Sequence, residues 1–173
     1  MMLSLLLLRH AKSSWDNSDL DDFDRPLNSR GLKAAPMVGK WIADQGLSPD
    51  LILCSGARRT RETLGLILPF MRGDQEIRVE NEIYSADGAV DLLDRLHSFG
   101  KGTPTIMIIG HNPAMQDLVL TLSGTGDTDD LQQVSTKFPT ASLAEIEFKA
   151  TDWSAVSAGS GVLKNLVLPR RIE

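Results

Sequence analysis

Residues 3–10 read LSLLLLRH, and the reading of this stretch decides the fold. An apolar run this short, with no polar face, is the pattern of a strand buried on both sides within a parallel sheet. The run stops at Arg9-His10 with no turn residue between. A buried strand that ends in two polar side chains presents them at its carboxyl edge, where open α/β sheets bind ligands.

Working outward, DLILCS (50–55), TIMIIG (105–110) and NLVLP (165–169) read as further buried strands, and SLAEIEF (142–148) alternates like a strand nearer an edge. Helical periods lie between them. The first starts at a Ser29 cap and runs to about Gln45, where Gly46 and Pro49 end it. The others run from Arg58 to about Phe70, from Ala86 to about Phe99 and from Pro113 to about Ser123. Pro36 predicts a kink or a delayed start in the first helix. SGTGDTDD (123–130) reads as a mobile loop and KATDWSAVSAGSG (149–161) as a turn-rich connection. The alternation predicts an α/β fold, a three-layer α/β/α sandwich around a mostly parallel central sheet. With 173 residues, no repeat and no long linker, a single domain is expected over 1–173.

Composition narrows the function. A formal net charge of −5 argues against a nucleic-acid partner, so any anion site must rest on local Arg or Lys. Cys54 is the one cysteine, which excludes an internal disulfide, and in LILCS it reads as a small core residue. The leading Leu run is far short of the ~20 residues a membrane span needs. No Lys or Arg precedes it and no small-residue cleavage site follows, so neither a membrane partner nor a secretory signal is expected, and a cytoplasmic location is.

Three strand-like runs end in polar groups: the first in Arg9-His10, the second in Ser55 and GARRTRET, the third in His111-Asn112-Pro113. Alone, each has an ordinary explanation as a surface turn or the solvated first turns of a helix. Together, at successive strand tips, two of the three histidines and an Arg cluster describe a site for a phosphoryl group. The third, His97 in DLLDRLHSFG, reads as a surface residue near a helix end.

LLRHAKSSW, CSGARRTRET and IIGHNP resemble the three signatures of the histidine phosphatase superfamily, the phosphoglycerate mutase-like fold. The resemblance covers Leu5 to about Leu122. Its Ser-x-x-x-Arg-x-x-x-Thr spacing is met by Ser55, Arg59 and Thr63, which selects Arg59 over Arg58 and Arg61 as the phosphate-binding arginine. RHA, DDFDRPLNSRG, PDLILCS and the short chain resemble the SixA-like branch of small phosphohistidine phosphatases.

Phosphoryl transfer passes through a metaphosphate-like state, so catalysis is mainly positioning and nearby positive charge. Arg9, Arg59 and a protonated His111 would supply it, arginine binding phosphate oxygens as a permanently charged fork. His10 is the expected nucleophile, which requires a neutral imidazole, its tautomer fixed by a backbone carbonyl. No His or Cys cluster suggests a metal, and neither metal nor cofactor is expected. The resemblance matches Glu82 in ENEIYSA to the acid of many relatives. The small phosphohistidine phosphatases lack an obvious donor, which suits a P–N bond that breaks readily once protonated. The acidic run DNSDLDDFD lacks the spacing of a calcium loop and reads as a solvated rim of the crevice. Asp16 stands where sugar-phosphate relatives often carry Asn, and Arg25, held by the acidic loop, would add charge at the substrate entrance. The expected partner is a phosphohistidine-bearing protein. A small phosphate ester is the alternative within the class, and a phosphate-recognising binding module that turns nothing over is the alternative outside it.

Overall fold

The computed structural model describes residues 2–99 and 101–173. Its strands are β1 (Leu3–Arg9), β2 (Leu51–Ser55), β3 (Glu76–Glu80), β4 (Thr105–Gly110), β5 (Ser123–Gly126), β6 (Leu143–Phe148) and β7 (Gly161–Val167). Its helices are α1 (Ser29–Asp44), α2 (Arg58–Ile67), α3 (Asn81–Ser85), α4 (Ala89–His97), α5 (Ala114–Leu122), α6 (Thr128–Thr136) and α7 (Pro169–Ile172). Short 3-10 turns lie at Asp22–Asp24, Leu68–Phe70 and Trp153–Ala155.

The sheet order β3-β2-β4-β1-β6-β7-β5 places β1 at the centre, parallel to β4 and antiparallel to β6. Leu5 through Leu8 are wholly buried because both faces of β1 are covered. Leu3, Leu5 and Leu7 pack with residues of α4, α5 and α6; Leu6 and Leu8 pack with residues of α1 and α2. This period of two splits one Leu run between two cores, giving the three expected layers.

Several local expectations change. SLAEIEF is an interior strand between β1 and β7; alternation there does not mark an edge, because Leu143, Ala144, Glu145 and Ile146 are all buried. The edges are β3 and β5. β3, EIRVE, carries no buried-strand pattern, because its charged residues belong to a strand that is exposed along most of its length. Residues 123–130 are not a loop: they form β5 and open α6, where Asp127 Oδ1 accepts the N–H groups of Asp129 and Asp130 at 3.0 and 3.1 Å. Asn28 rather than Ser29 caps α1, accepting from the Gly31 N–H, and the helix runs unbroken through Pro36. The segment expected from Ala86 to Phe99 yields only α4, with the separate short α3 before it. His97 is half-buried, its Nε2–H donating to the Val156 carbonyl at 2.7 Å, so it ties α4 to the turn after Trp153. Cys54 is buried, and burial pushes its thiol up to about 12.

One close approach sets the chain beyond β1. The Asn28 N–H donates to the Lys12 carbonyl at 2.9 Å, and a Cβ at Gly31 would stand 2.2 Å from that oxygen. Only glycine lets the start of α1 lie so near the segment following His10. Gly31→Ala is expected to lower stability by about 1–3 kcal/mol, as overpacking against backbone does. Gly65→Ala, on the exposed face of α2 with nothing within 4 Å of the new methyl, is expected to raise it by up to ~1 kcal/mol. Thermal melts of the two variants, moving in opposite directions, check the pair.

Candidate active site

β2, β4 and β1 are adjacent, so their carboxyl ends lie side by side and bring Ser55, His111 and Arg9-His10 to one crevice. The imidazoles of His10 and His111 face each other with centroids 5.1 Å apart. His10 is buried, with Nδ1 2.7 Å from the Ala11 carbonyl. A carbonyl can only accept, so Nδ1 carries the proton and Nε2 keeps its lone pair. Burial, together with the charges of His111, Arg59 and Arg9, outweighs that hydrogen bond and pushes the His10 pKa down to about 3. His10 is therefore neutral near pH 7.

Ser55, Arg59 and Thr63 recur every fourth residue, which gives each a place on one side of α2 and the turn before it. Thr63 Oγ1 donates to the Arg59 carbonyl and accepts the Ala11 N–H at 3.0 Å, fastening α2 to the chain that follows His10. Ser55 Oγ is 2.7 Å from His111 Nε2. Arg59 Nη2 lies 3.3 Å from His111 Nδ1. A guanidinium only donates, so Nδ1 accepts and Nε2–H donates to Ser55: His111 is neutral in the free protein. Burial first, then Arg59, pushes its pKa down to about 4. The protonated His111 expected from the sequence thus requires a bound dianion to supply the compensating charge.

Arg9 Nη1 donates to the Phe138 carbonyl at 2.9 Å. The Nε–H groups of Arg9 and Arg59 are buried with no acceptor among the described residues. Two imidazoles beside two arginines are a donor set chemically suited to a tetrahedral oxyanion.

The structure adds Asp22 and Tyr84 to the site. Asp22 lies inside the acidic run expected as a solvated rim; it stays exposed, yet the fold sets its carboxylate on Arg59. The Ser13–Leu27 bridge and the Ser14 N–H to Pro26 carbonyl bond close the loop at its base. The Asp22 carbonyl accepts from Arg59 Nη1 at 2.6 Å, and its Oδ2 accepts from Arg59 Nη2 at 3.0 Å and from the Tyr84 hydroxyl at 2.9 Å. Burial favours a neutral Asp22, but the hydrogen bonds of Tyr84 and Arg59 and the charges of Arg59 and Arg25 hold its carboxyl below the usual range. The Tyr84 ring meets His111 edge-on at 5.5 Å. The only sequence signal was DDFDR itself, acids spaced to reach an arginine.

Arg25 is buried, bonded to Asp22 Oδ1 at 3.1 Å and to Ser13 Oγ at 3.0 Å, and stacked 3.5 Å from the Trp15 ring. It is held by the acidic loop, as expected. Asp16 is exposed; its backbone N–H donates to Ser14 Oγ, and its carboxylate makes no contact with Arg9, His10, Arg59 or His111 among the described hydrogen bonds and ion pairs. Glu82 is exposed at the start of α3 beside a shallow cleft with Glu80, Asn81 and Arg95. It makes none of these contacts either, and its charge acts on Arg95. Helical residues two apart do not share a face, so with Tyr84 directed at His111, Glu82 is directed elsewhere.

The two low imidazole pKa values set a stability profile. Below an ordinary pKa of 6.5 the unfolded chain takes up protons that folded His10 and His111 refuse. Their contribution is fully present above that pH and is lost as pH falls through 6.5 toward about 4 for His111 and about 3 for His10. Denaturant unfolding at stepped pH is expected to show a loss on the order of several kcal/mol across this window. A flat profile would contradict the buried neutral pair.

The family model of the histidine phosphatase superfamily (branch 1) matches residues 5–84, which include Arg9, His10 and Arg59 but not His111. An uncharacterised protein of Mycobacterium tuberculosis is 31% identical over 166 residues, 94% of this chain and 100% of that one. A solved chain named for the phosphohistidine phosphatase SixA, from Agrobacterium tumefaciens, is 30% identical at a TM-score of 0.80, covering 96% of this chain and 98% of that one. The protein histidine phosphatase SixA complexed with tungstate superposes at a TM-score of 0.79 with 19% identity, over 99% and 100% of the two chains. The chain belongs to the histidine phosphatase superfamily and is a phosphatase. Within the superfamily it is SixA-like. Among the described residues, no helix is long and apolar enough to cross a membrane and no group of three or more His, Cys, Asp or Glu is placed to hold a metal.

Proposed function

We propose that the protein hydrolyses phosphohistidine in a protein partner through a phosphoryl intermediate on His10. The observation that carries this reading is the state of the carboxyls. Asp22 is the carboxyl in contact with the paired histidines' arginine, and it is held ionised, while Glu82 contacts none of the four groups. A site without a ready proton suits a phosphoramidate, whose imidazole leaving group is readily protonated, better than an ester, whose alkoxide needs a positioned acid.

His10 Nε2 attacks phosphorus as the substrate's P–N bond breaks, and the departing imidazole leaves with a proton from solvent. Arg9 and Arg59 hold the equatorial oxygens, and the arriving dianion raises His111 toward its cationic form. Water then attacks the phosphorus of phospho-His10, releasing phosphate and returning His10 to its neutral state. Asp22 must yield Arg59 to the phosphoryl group, since both claim the same guanidinium fork.

The test compares a phosphohistidine-bearing peptide with an aryl phosphate, with alkaline quench to trap the acid-labile adduct. The peptide is expected to exceed the ester by at least about tenfold in kcat/KM, with the adduct on His10, and Glu82→Gln is expected to leave both rates near the parent values. Preference for the ester, together with a selective loss in Glu82→Gln, would establish the small-ester reading instead. Phosphate binding without adduct or turnover would establish the binding module.

A further inference from the structure

On the flank of the site lies a second cleft, of about 340 Å³, between the outer face of α1, the 137–140 segment and the chain from Leu168 onward. Its lining carries five cations, Lys12, Arg30, Lys33, Lys137 and Arg170, against one acid, Glu173. In a chain of net charge −5 this is a sharp local reversal. None of the five forms an ion pair among the described residues; Arg170 makes one hydrogen bond, to the neutral Gln133 side chain. The floor is apolar, made by Ala34, Met37 and Leu168.

The cleft shares a wall with the histidine pair. Lys137, Pro139 and Thr140 line it, while the intervening Phe138 is buried with its carbonyl on Arg9 Nη1 and Asn112 Nδ2 at 2.9 and 3.0 Å. The Ala141 N–H donates to the carbonyls of Arg9 and His10 at 3.1 and 3.0 Å. Lys12 stands two residues beyond His10, within about 7 Å along even a fully extended chain.

We propose that this cleft binds an acidic segment flanking the phosphorylated residue of the protein substrate, making it a specificity surface for the reaction at His10. The inference rests on the phosphatase reading and deepens it. A pocket built for a small anion converges buried donors on one point. Here the cations come from separate elements and are exposed around the rim, a spread that suits several carboxylates along a peptide, with apolar side chains between them on the floor. Such exposed pairs are individually weak and screened by salt, so their joint effect falls on encounter and KM rather than on chemistry.

Two phosphohistidine peptides test it, one with Asp and Glu on its flank and one with Asn and Gln, alongside an aryl phosphate and the double variant Arg30→Glu/Lys33→Glu. The expected result is a lower KM for the acidic peptide in the parent protein, lost with added salt and raised about tenfold in the variant. kcat should hold, and KM for the neutral peptide and the aryl phosphate should not move. Equal KM values for the two peptides in the parent, or a variant that raises both alike, overturn the proposal. Binding of a nucleoside bisphosphate that is tighter than that of the unphosphorylated acidic peptide and is abolished by the double variant overturns it in favour of a small-molecule pocket. If the parent turns over none of the three substrates, the phosphatase reading fails by itself. The surface is then decided by fluorescence polarisation of the unphosphorylated acidic peptide at low salt: binding that the double variant abolishes supports it, and absence of binding overturns it.

Discussion

His10→Ala is expected to abolish turnover, lowering kcat by about 10⁴-fold or more, and to leave no acid-labile adduct after alkaline quench. The size follows from what the side chain supplies. Nδ1–H is committed to the Ala11 carbonyl, so Nε2 is unprotonated and free for the nucleophilic role proposed for it, and the other groups around His111 and Arg59 are engaged, the Tyr84 hydroxyl with Asp22. Asp22 is ionised but clasped by Arg59 and Tyr84, and Ser55 Oγ is engaged with His111. The variant should still bind phosphate, since Arg9, Arg59 and His111 remain. Removing a buried imidazole of depressed pKa should also flatten part of the acid-side loss of stability, giving a second, independent reading of the same residue. Turnover at the parent rate would remove His10 from the mechanism.

Arg59→Ala is expected to lower kcat/KM by about 10³-fold, at the upper end for removing one preorganised donor group. Arg59 touches His111, holds Asp22 by two hydrogen bonds and keeps a buried Nε–H unpaired. Arg59→Lys should recover little, because a point charge cannot replace a planar fork. Asp22→Ala separates the two sides of this contact. In the free protein its carboxylate occupies the guanidinium that the proposed mechanism gives to the phosphoryl group, so the variant should be inhibited by inorganic phosphate about tenfold more tightly while Arg59→Ala is inhibited less. If both variants lose phosphate affinity alike, Asp22 positions Arg59 rather than competing for it. Retained thermal melts separate these effects from loss of fold.

The division between what was legible in the sequence and what was not follows from the range of the interactions. LSLLLLRH announces its own environment, because a strand buried on both faces admits only apolar residues and then ends abruptly. The register of Ser55, Arg59 and Thr63 is a helical period written in the chain. β3 and β5 were invisible because edge strands in this sheet bury little and carry charged or small residues. SLAEIEF misled for the converse reason: Glu145 is buried because Asn165 on the neighbouring strand donates to it at 2.6 Å, a partner no local pattern shows.

The same limit governs the site. Local sequence put Arg9-His10 and His111 at strand tips, and the resemblance to the histidine phosphatase superfamily singled out Arg59 from the cluster that follows β2. Only the tertiary structure placed Asp22 on Arg59, left Glu82 exposed without contact to the four groups, made His111 neutral in the free protein and gathered five cations in a cleft on the flank of the site. Each of these depends on which distant segments the fold brings together, and the charge state of the buried imidazoles is set by that shared space rather than by the neighbours along the chain.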